Sequence, residues 1–162
     1  AAQCDVILLS GGSSVGARDA VQRVVEQLGR LHLHGIAIKP GKPTIFGEVN
    51  GKPLIGLPGH PVAVYFIYTL FADPLLRCML GEATPLPRPG YTARLASAIP
   101  SNHGREECVA VRLEQSEDGL VAYPVMSKSG LITQLSHADG YLQIPRDREG
   151  YAPGEAVTVT AL

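Results

Sequence analysis

The chain has 162 residues, 45% of them hydrophobic and 18% charged, with a formal net charge of −1. That apolar content excludes an intrinsically disordered chain, and the near-neutral balance gives no electrostatic footprint for nucleic acid or an anionic membrane. Glycine and proline are in excess, at 18 and 13 residues, without a collagen-like period, so they mark turns and special loops.

In chain order, Ala1-Ala2-Gln3-Cys4-Asp5 lacks the basic start of a signal peptide. Asp5 to Leu9 is an apolar run expected of a strand buried on both faces. A small-residue loop, Ser10 to Gly16, follows. Asp19 to Leu28 has Ala20, Val21, Val24, Val25 and Leu28 on one helical face, with Gly29 as the stop. His32 to Ile38 reads as the next strand, ended by Lys39-Pro40-Gly41-Lys42-Pro43. Thr44 to Val49 and Pro53 to Leu57 flank Asn50-Gly51, a strong hairpin signal. Val62 to Leu80 is a long apolar helix with Gly81 as its cap, and its composition suggests burial on most sides, partly in a subunit interface. No apolar run approaches the roughly 20 residues of a membrane span.

The pattern changes at Thr84-Pro85-Leu86-Pro87-Arg88-Pro89-Gly90, where prolines favour an extended linker. Beyond it, Tyr91–Ala98, Glu107–Glu114, Leu120–Val125, Tyr141–Pro145 and Ala156–Leu162 read as strands. Ser116 to Gly119 is a turn and Leu131 to His137 a short helix. The expected organisation is therefore a partial α/β domain over 1–83 with a parallel-type sheet, a Pro-rich linker over 84–90 and a small all-β, barrel-like domain over 91–162. Cys4, Cys78 and Cys108 are scattered, form no CxxC pair and are odd in number. Reduced thiols in a cytosolic protein are the simpler reading.

Three loops hold the residue types that chemistry needs. Ligands of open α/β sheets sit beyond the carboxyl ends of strands, so loops that follow three strands would line one pocket. The first, Ser10-Gly11-Gly12-Ser13-Ser14-Val15-Gly16, combines glycines, hydroxyls and N–H groups at a helix N-terminus, a setting that attracts anions. It is neither a Walker loop nor GxGxxG. Asp19 begins the helix in this reading, either as an N-cap carboxylate or as a metal or substrate ligand. The second loop holds Lys39 and Lys42 on a stiff Pro-Gly frame, either as a solvated turn or as point charges for an oxyanion. The third, Gly56-Leu57-Pro58-Gly59-His60-Pro61, places Pro61 at a first helical turn. His60 there is a ligand contact or an N-cap-like polar residue. No GxSxG serine and no zinc spacing is present. His32 and His34 alternate on a strand, a pattern more often exposed or satisfied than metal-binding.

Taken together, SGGSSVGARD at 10–19, KPGKP at 39–43 and GLPGHPV at 56–62 resemble the molybdopterin molybdenumtransferase family, the MoeA and gephyrin E-domain group. GREECVAVRL at 104–113, SGLITQLSHADG at 129–140 and PGEAVTV at 153–159 resemble its C-terminal β-domain. The resemblance implies an enzyme that inserts molybdenum from molybdate into adenylylated molybdopterin, releasing AMP with Mg²⁺ involved. It implies catalytic roles for Asp19, Lys39 and Lys42, with Asp19 also a metal ligand. Substrate contacts would come from Ser10, Gly11, Gly12, Ser14, Gly16, Pro43, Pro58, Gly59 and His60, and from Arg105 and Ser129 of the β-domain. It further implies a cytoplasmic homodimer, a molybdopterin adenylyltransferase as a possible partner, and a C-terminal portion of a longer protein. The chain departs from the family at Ser13, Ala17, His60 and Ala63, and Ala63 lacks a usual hydroxyl. Two other functions stay open: molybdopterin adenylyltransferase activity, which KPGKP and the β-domain oppose, and a non-catalytic binding or scaffolding module.

Overall fold

The structure, a computed structural model, describes residues 3–10, 15–83, 87–125 and 132–162. They form two units, Ala1–Ile36 with Pro40–Thr84, and Ala37–Lys39 with Pro85–Leu162.

In the first unit, β1 (Ile7–Ser10), β2 (Gly29–His34), β4 (Ile45–Val49) and β5 (Lys52–Leu57) make one sheet in the order β1-β5-β4-β2. The sheet is mixed rather than of parallel type. β1 and β5 run parallel, whereas β4 is antiparallel to both β5 and β2. Two-residue alternation divides its faces. Ile45, Val49 and Leu54 pack with Val25 of α1 (Val15–Leu28). On the opposite face, Ile55 packs with Ile67 and Ala72, and Phe46 meets Phe71 edge-on with ring centroids 5.2 Å apart. The hairpin forms at Asn50 and Gly51, whose φ values of 53° and 72° suit a type I′ turn. α1 starts at Val15, so Asp19 lies inside the helix and the N-cap reading does not hold. Gly29 passes directly into β2, where a Cβ would collide with the Glu48 carbonyl.

The apolar helix runs from α2 (Pro61–Ile67) through a π-helical turn (Tyr68–Ala72) into α3 (Asp73–Met79). Pro74 has no N–H to donate to the preceding turn, and the wider turn accommodates its ring. Burial is less complete than composition suggests. Ala63, Phe66, Ile67, Thr69 and Ala72 are buried, but α3 has no buried residue, and Tyr68, Met79 and Leu80 are exposed. The buried side chains are those on the face turned to the sheet, Ile67 and Ala72 against Ile55 among them. The 19 residues Pro61–Met79, with a mean hydropathy of 1.4, are long and apolar enough by length and composition to cross a membrane, which corrects the expectation that no run approaches a span. In this structure the helix packs on the sheet. Gly81 ends it at φ 96°, and the Glu82 N–H donates to the Arg77 carbonyl at 3.0 Å.

In the second unit, β6 (Gly90–Leu95), β8 (Glu106–Ser116), β9 (Gly119–Pro124), β10 (Gly140–Ile144) and β12 (Ala156–Ala161) close into a five-stranded barrel, because β10 pairs with both β12 and β8. Leu95, Val111, Leu142, Ile144 and Val159 fill it. Short strands β7 (Ile99–Pro100) and β11 (Gly150–Tyr151) pair alongside. The expected helix at 131–137 is a 3-10 helix, Ile132–His137. The predicted strand over 32–38 is broken: β2 ends at His34, Gly35 turns at φ 89°, and β3 (Ile38–Lys39) pairs in parallel with β8. Residues 37–39 thus belong to the barrel unit although they precede the linker by more than forty positions. Cys108 is buried in the barrel, and desolvation with Glu106 and Glu107 nearby pushes its thiol up to about 12. Cys78 is exposed.

The 145–155 segment is held by Arg148. Its Nε donates to the Gly150 carbonyl at 2.8 Å, its guanidinium lies 4.0 Å from the Tyr151 ring centroid, and it pairs with Glu155. The Glu155 carboxyl sits below its ordinary value, first because the Ala152 N–H donates to it and then because of Arg148, against an opposing desolvation. A depressed carboxyl stabilises above its unfolded value and stops doing so as pH falls through the folded one. Glu155→Gln should therefore lower the urea midpoint at neutral pH, and the gap to wild type should close below about pH 4. Gly150, at φ 128°, would direct a Cβ into the Ile99 carbonyl. Gly150→Ala should cost about 1–3 kcal/mol in urea denaturation.

Candidate functional site

The register of the first unit determines where its loops emerge. Ser10, the last residue of β1, lies opposite Leu57, the last of β5. Ile45, the first of β4, lies opposite Gly56, and His34, the last of β2, lies opposite Ile45. The loop after β1, the loop after β5 and the turn before β4 therefore leave the sheet at the same end. Strands are spaced about 4.8 Å apart, so β1 and β4 are separated by about 10 Å there. The Lys39–Pro43 loop reaches this end because β4 is antiparallel, and not because it follows a parallel strand. α1 and α2 also begin at this end, with their N-termini and free N–H groups.

Each loop is built differently. Pro58 is buried, Gly59 and His60 are exposed, and Pro61 opens α2. His60 is extended at φ −90°, and its side chain makes no capping bond. Its carbonyl accepts the first helical bond, from the Val64 N–H at 2.9 Å. Ala63 is buried one turn on. The 40–44 turn is tight. Gly41 is buried at φ 139°, and its carbonyl accepts both the Thr44 N–H at 3.1 Å and the Thr44 Oγ at 2.7 Å. The Ile36 N–H donates to the Lys42 carbonyl at 3.0 Å, and the Gly35 N–H to the Thr44 carbonyl at 2.8 Å. The Lys42 backbone is thus clamped while its side chain is exposed, with no ion-pair partner among the described residues. Pro43 is half-buried beside it. Gly11, Gly12, Ser13 and Ser14 lie outside the described residues. Gly16 and Asp19 are on the first half of α1, and the Asp19 side chain is outside what is described.

Other expected site residues are in the barrel unit. Lys39 ends β3, and its Nζ lies 2.7 Å from Glu107 Oε1. Arg105 is half-buried just before β8, following Gly104 at φ 91°. Ser129 lies outside the described residues. His32 contacts Glu48 at 3.5 Å and lies at the register shift between Leu31 and Leu33, whereas His34 pairs with Ile45. No group of three or more metal-type side chains occurs among the described residues. Thr44 and Glu107 escape a sequence reading, because neither lies in a recognisable spacing and each acquires its role from a tertiary partner.

Residues 1–78 match the family described as "Probable molybdopterin binding domain", and residues 92–162 match "MoeA C-terminal region (domain IV)". The molybdopterin molybdenumtransferase of Bacillus subtilis is 31% identical over 96% of this chain and 36% of its own length. That of Haemophilus influenzae is 28% identical over 97% of this chain and 39% of its own length. A crystal structure of a molybdopterin biosynthesis MoeA protein from Pyrococcus horikoshii is 39% identical, with a TM-score of 0.81, over 99% of this chain and 38% of that one. The chain thus spans little more than a third of the length of these relatives. Thr44→Val, which removes the hydroxyl that closes the turn, should cost about 1 kcal/mol in urea denaturation.

Proposed function

This chain belongs to the MoeA family of molybdopterin molybdenumtransferases, and on that premise we propose that it contributes the C-terminal portion of an enzyme that inserts molybdenum from molybdate into adenylylated molybdopterin, releasing AMP. The observation that carries this reading is that Ser10 at the end of β1, the 41–44 turn and the 57–60 loop lie at one end of one sheet. Two helix N-termini, a clamped lysine and glycine-rich backbone suit a phosphorylated, anionic pterin. Ser10, Gly11, Gly12, Ser14 and Gly16 would cradle the phosphate. Pro43, Pro58, Gly59 and His60 would line the pterin, and Lys42 would neutralise negative charge. In the barrel unit, Lys39, Arg105 and Ser129 are the positions offered to the oxyanion. Cleaving a phosphoanhydride needs charge neutralisation and positioning more than a strong nucleophile.

Mg²⁺ commonly takes one or two protein carboxylates with phosphate oxygens and water. Asp19 supplies one carboxylate on the helix that follows the first loop, so the donor chemistry fits, and Asp19 is the residue that would hold the ion. The ion would screen phosphate charge. The working state would be a cytoplasmic homodimer, supplied by a molybdopterin adenylyltransferase. The exposed Tyr68, Met79 and Leu80 on and beside the 61–79 helix support an apolar contact between copies.

Calorimetric titration of molybdopterin and of molybdate into the chain tests the reading. Heat with both is expected, and heat with neither would leave a non-catalytic module. ATP-dependent adenylylation of molybdopterin would identify the adenylyltransferase alternative instead. In the intact enzyme, Asp19→Ala should abolish molybdenum insertion with the circular dichroism spectrum unchanged. Lys42→Ala should weaken molybdate use by about tenfold or more with the melting temperature maintained, because the side chain is exposed.

A further inference from the structure

We propose that Glu107 is a positioning residue for Lys39, holding its ammonium in place for the oxyanion; the functional half of this rests on the reading above. β3 joins the barrel through parallel pairing of Ile38 with Glu106 and of Lys39 with Glu107, and the Glu106 N–H donates to the Ala37 carbonyl at 2.9 Å. The Lys39 Nζ lies 2.7 Å from Glu107 Oε1, and the Ser101 Oγ donates to Glu107 Oε2 at 2.7 Å. Both carboxylate oxygens are therefore engaged.

Exposure is unequal across the pair. The Glu107 side chain is 13% exposed and that of Lys39 46%. The carboxylate is the fixed partner, anchored in β8 and by Ser101. The ammonium has three donors. One is directed to Glu107, and the half-exposed group leaves the others to its solvent side. A surface lysine loses rotamer freedom when it meets an anion, whereas a lysine already held has lost most of it, so the anion meets a pre-oriented cation. Glu107 acts through Lys39 and needs no contact with the anion itself. Its negative charge has an opposing effect, since a carboxylate beside the site repels an incoming anion. The two effects predict opposite signs when the charge is removed.

The test uses the full chain with molybdate as probe, in wild type, Glu107→Gln, Glu107→Asp and Ser101→Ala. Two readouts are followed: molybdate affinity by calorimetry, and the Lys39 ammonium resonance by ¹H–¹⁵N correlation with ¹⁵N-lysine. Positioning predicts a slowly exchanging Lys39 signal that Glu107→Gln abolishes. It also predicts molybdate affinity weakened about tenfold by Glu107→Gln, intermediate affinity in Glu107→Asp, and a smaller loss in Ser101→Ala. Tighter or unchanged molybdate binding in Glu107→Gln would overturn the proposal, and so would a Lys39 signal indifferent to Glu107. If Glu107→Gln does not fold, Glu107→Asp and Ser101→Ala decide by the same two readouts. A wild-type chain with the Lys39 signal but no molybdate heat would overturn the oxyanion role and with it the functional half of the proposal. The hydrogen-bonded pair itself is judged by the resonance alone.

Discussion

The candidate site depends on the pairing of β5, which runs parallel to β1 on one side and antiparallel to β4 on the other. A parallel neighbour brings two carboxyl ends together, and an antiparallel one brings a carboxyl end to an amino end. Both geometries therefore deliver loops to one end of the sheet. A one-residue slip in either ladder would exchange the two faces. Ile45, Val49 and Leu54 would then leave Val25, and Ile55 would leave Ile67. The apolar contacts that hold the helices on the sheet thus also hold the loops in place.

The lysines of KPGKP show how backbone and side chain divide the work. Lys42 has its carbonyl bonded and its turn closed by Thr44, and its ammonium projects from a rigid frame. Lys39, three residues earlier, is in a strand of the barrel and already has a carboxylate partner. Two side chains that look equivalent in the sequence therefore sit in different folding units. One is restrained through its main chain and the other through its head group.

The barrel has its own restraints. Closure through the two pairings of β10 leaves no open edge among its five strands. The Arg148 cluster fastens the long connection between β10 and β12. Lys39 and Arg105 are both carried by this closed unit, Lys39 in the strand that pairs with β8 and Arg105 just before β8.

Much of this was legible in the residues themselves. Alternation in 45–57, the Asn50-Gly51 turn, the Pro61 start and Gly81 stop of the long helix, and most barrel strands follow from local chemistry and period. The three loop motifs, in their succession along the chain, also pointed to the family. What only the tertiary structure decided depends on partners distant in sequence. Asp19 sits within a helix rather than at its cap, because α1 begins four residues earlier. The 61–79 helix is only partly buried, because one narrow sheet faces it. The strand expected over 32–38 breaks at Gly35, because residues 37–39 find a better ladder on β8. A sequence carries its local preferences openly, but which strand edge captures a segment, and which carboxylate then meets a lysine, is a competition among contacts tens of residues apart, settled only when the sheets close.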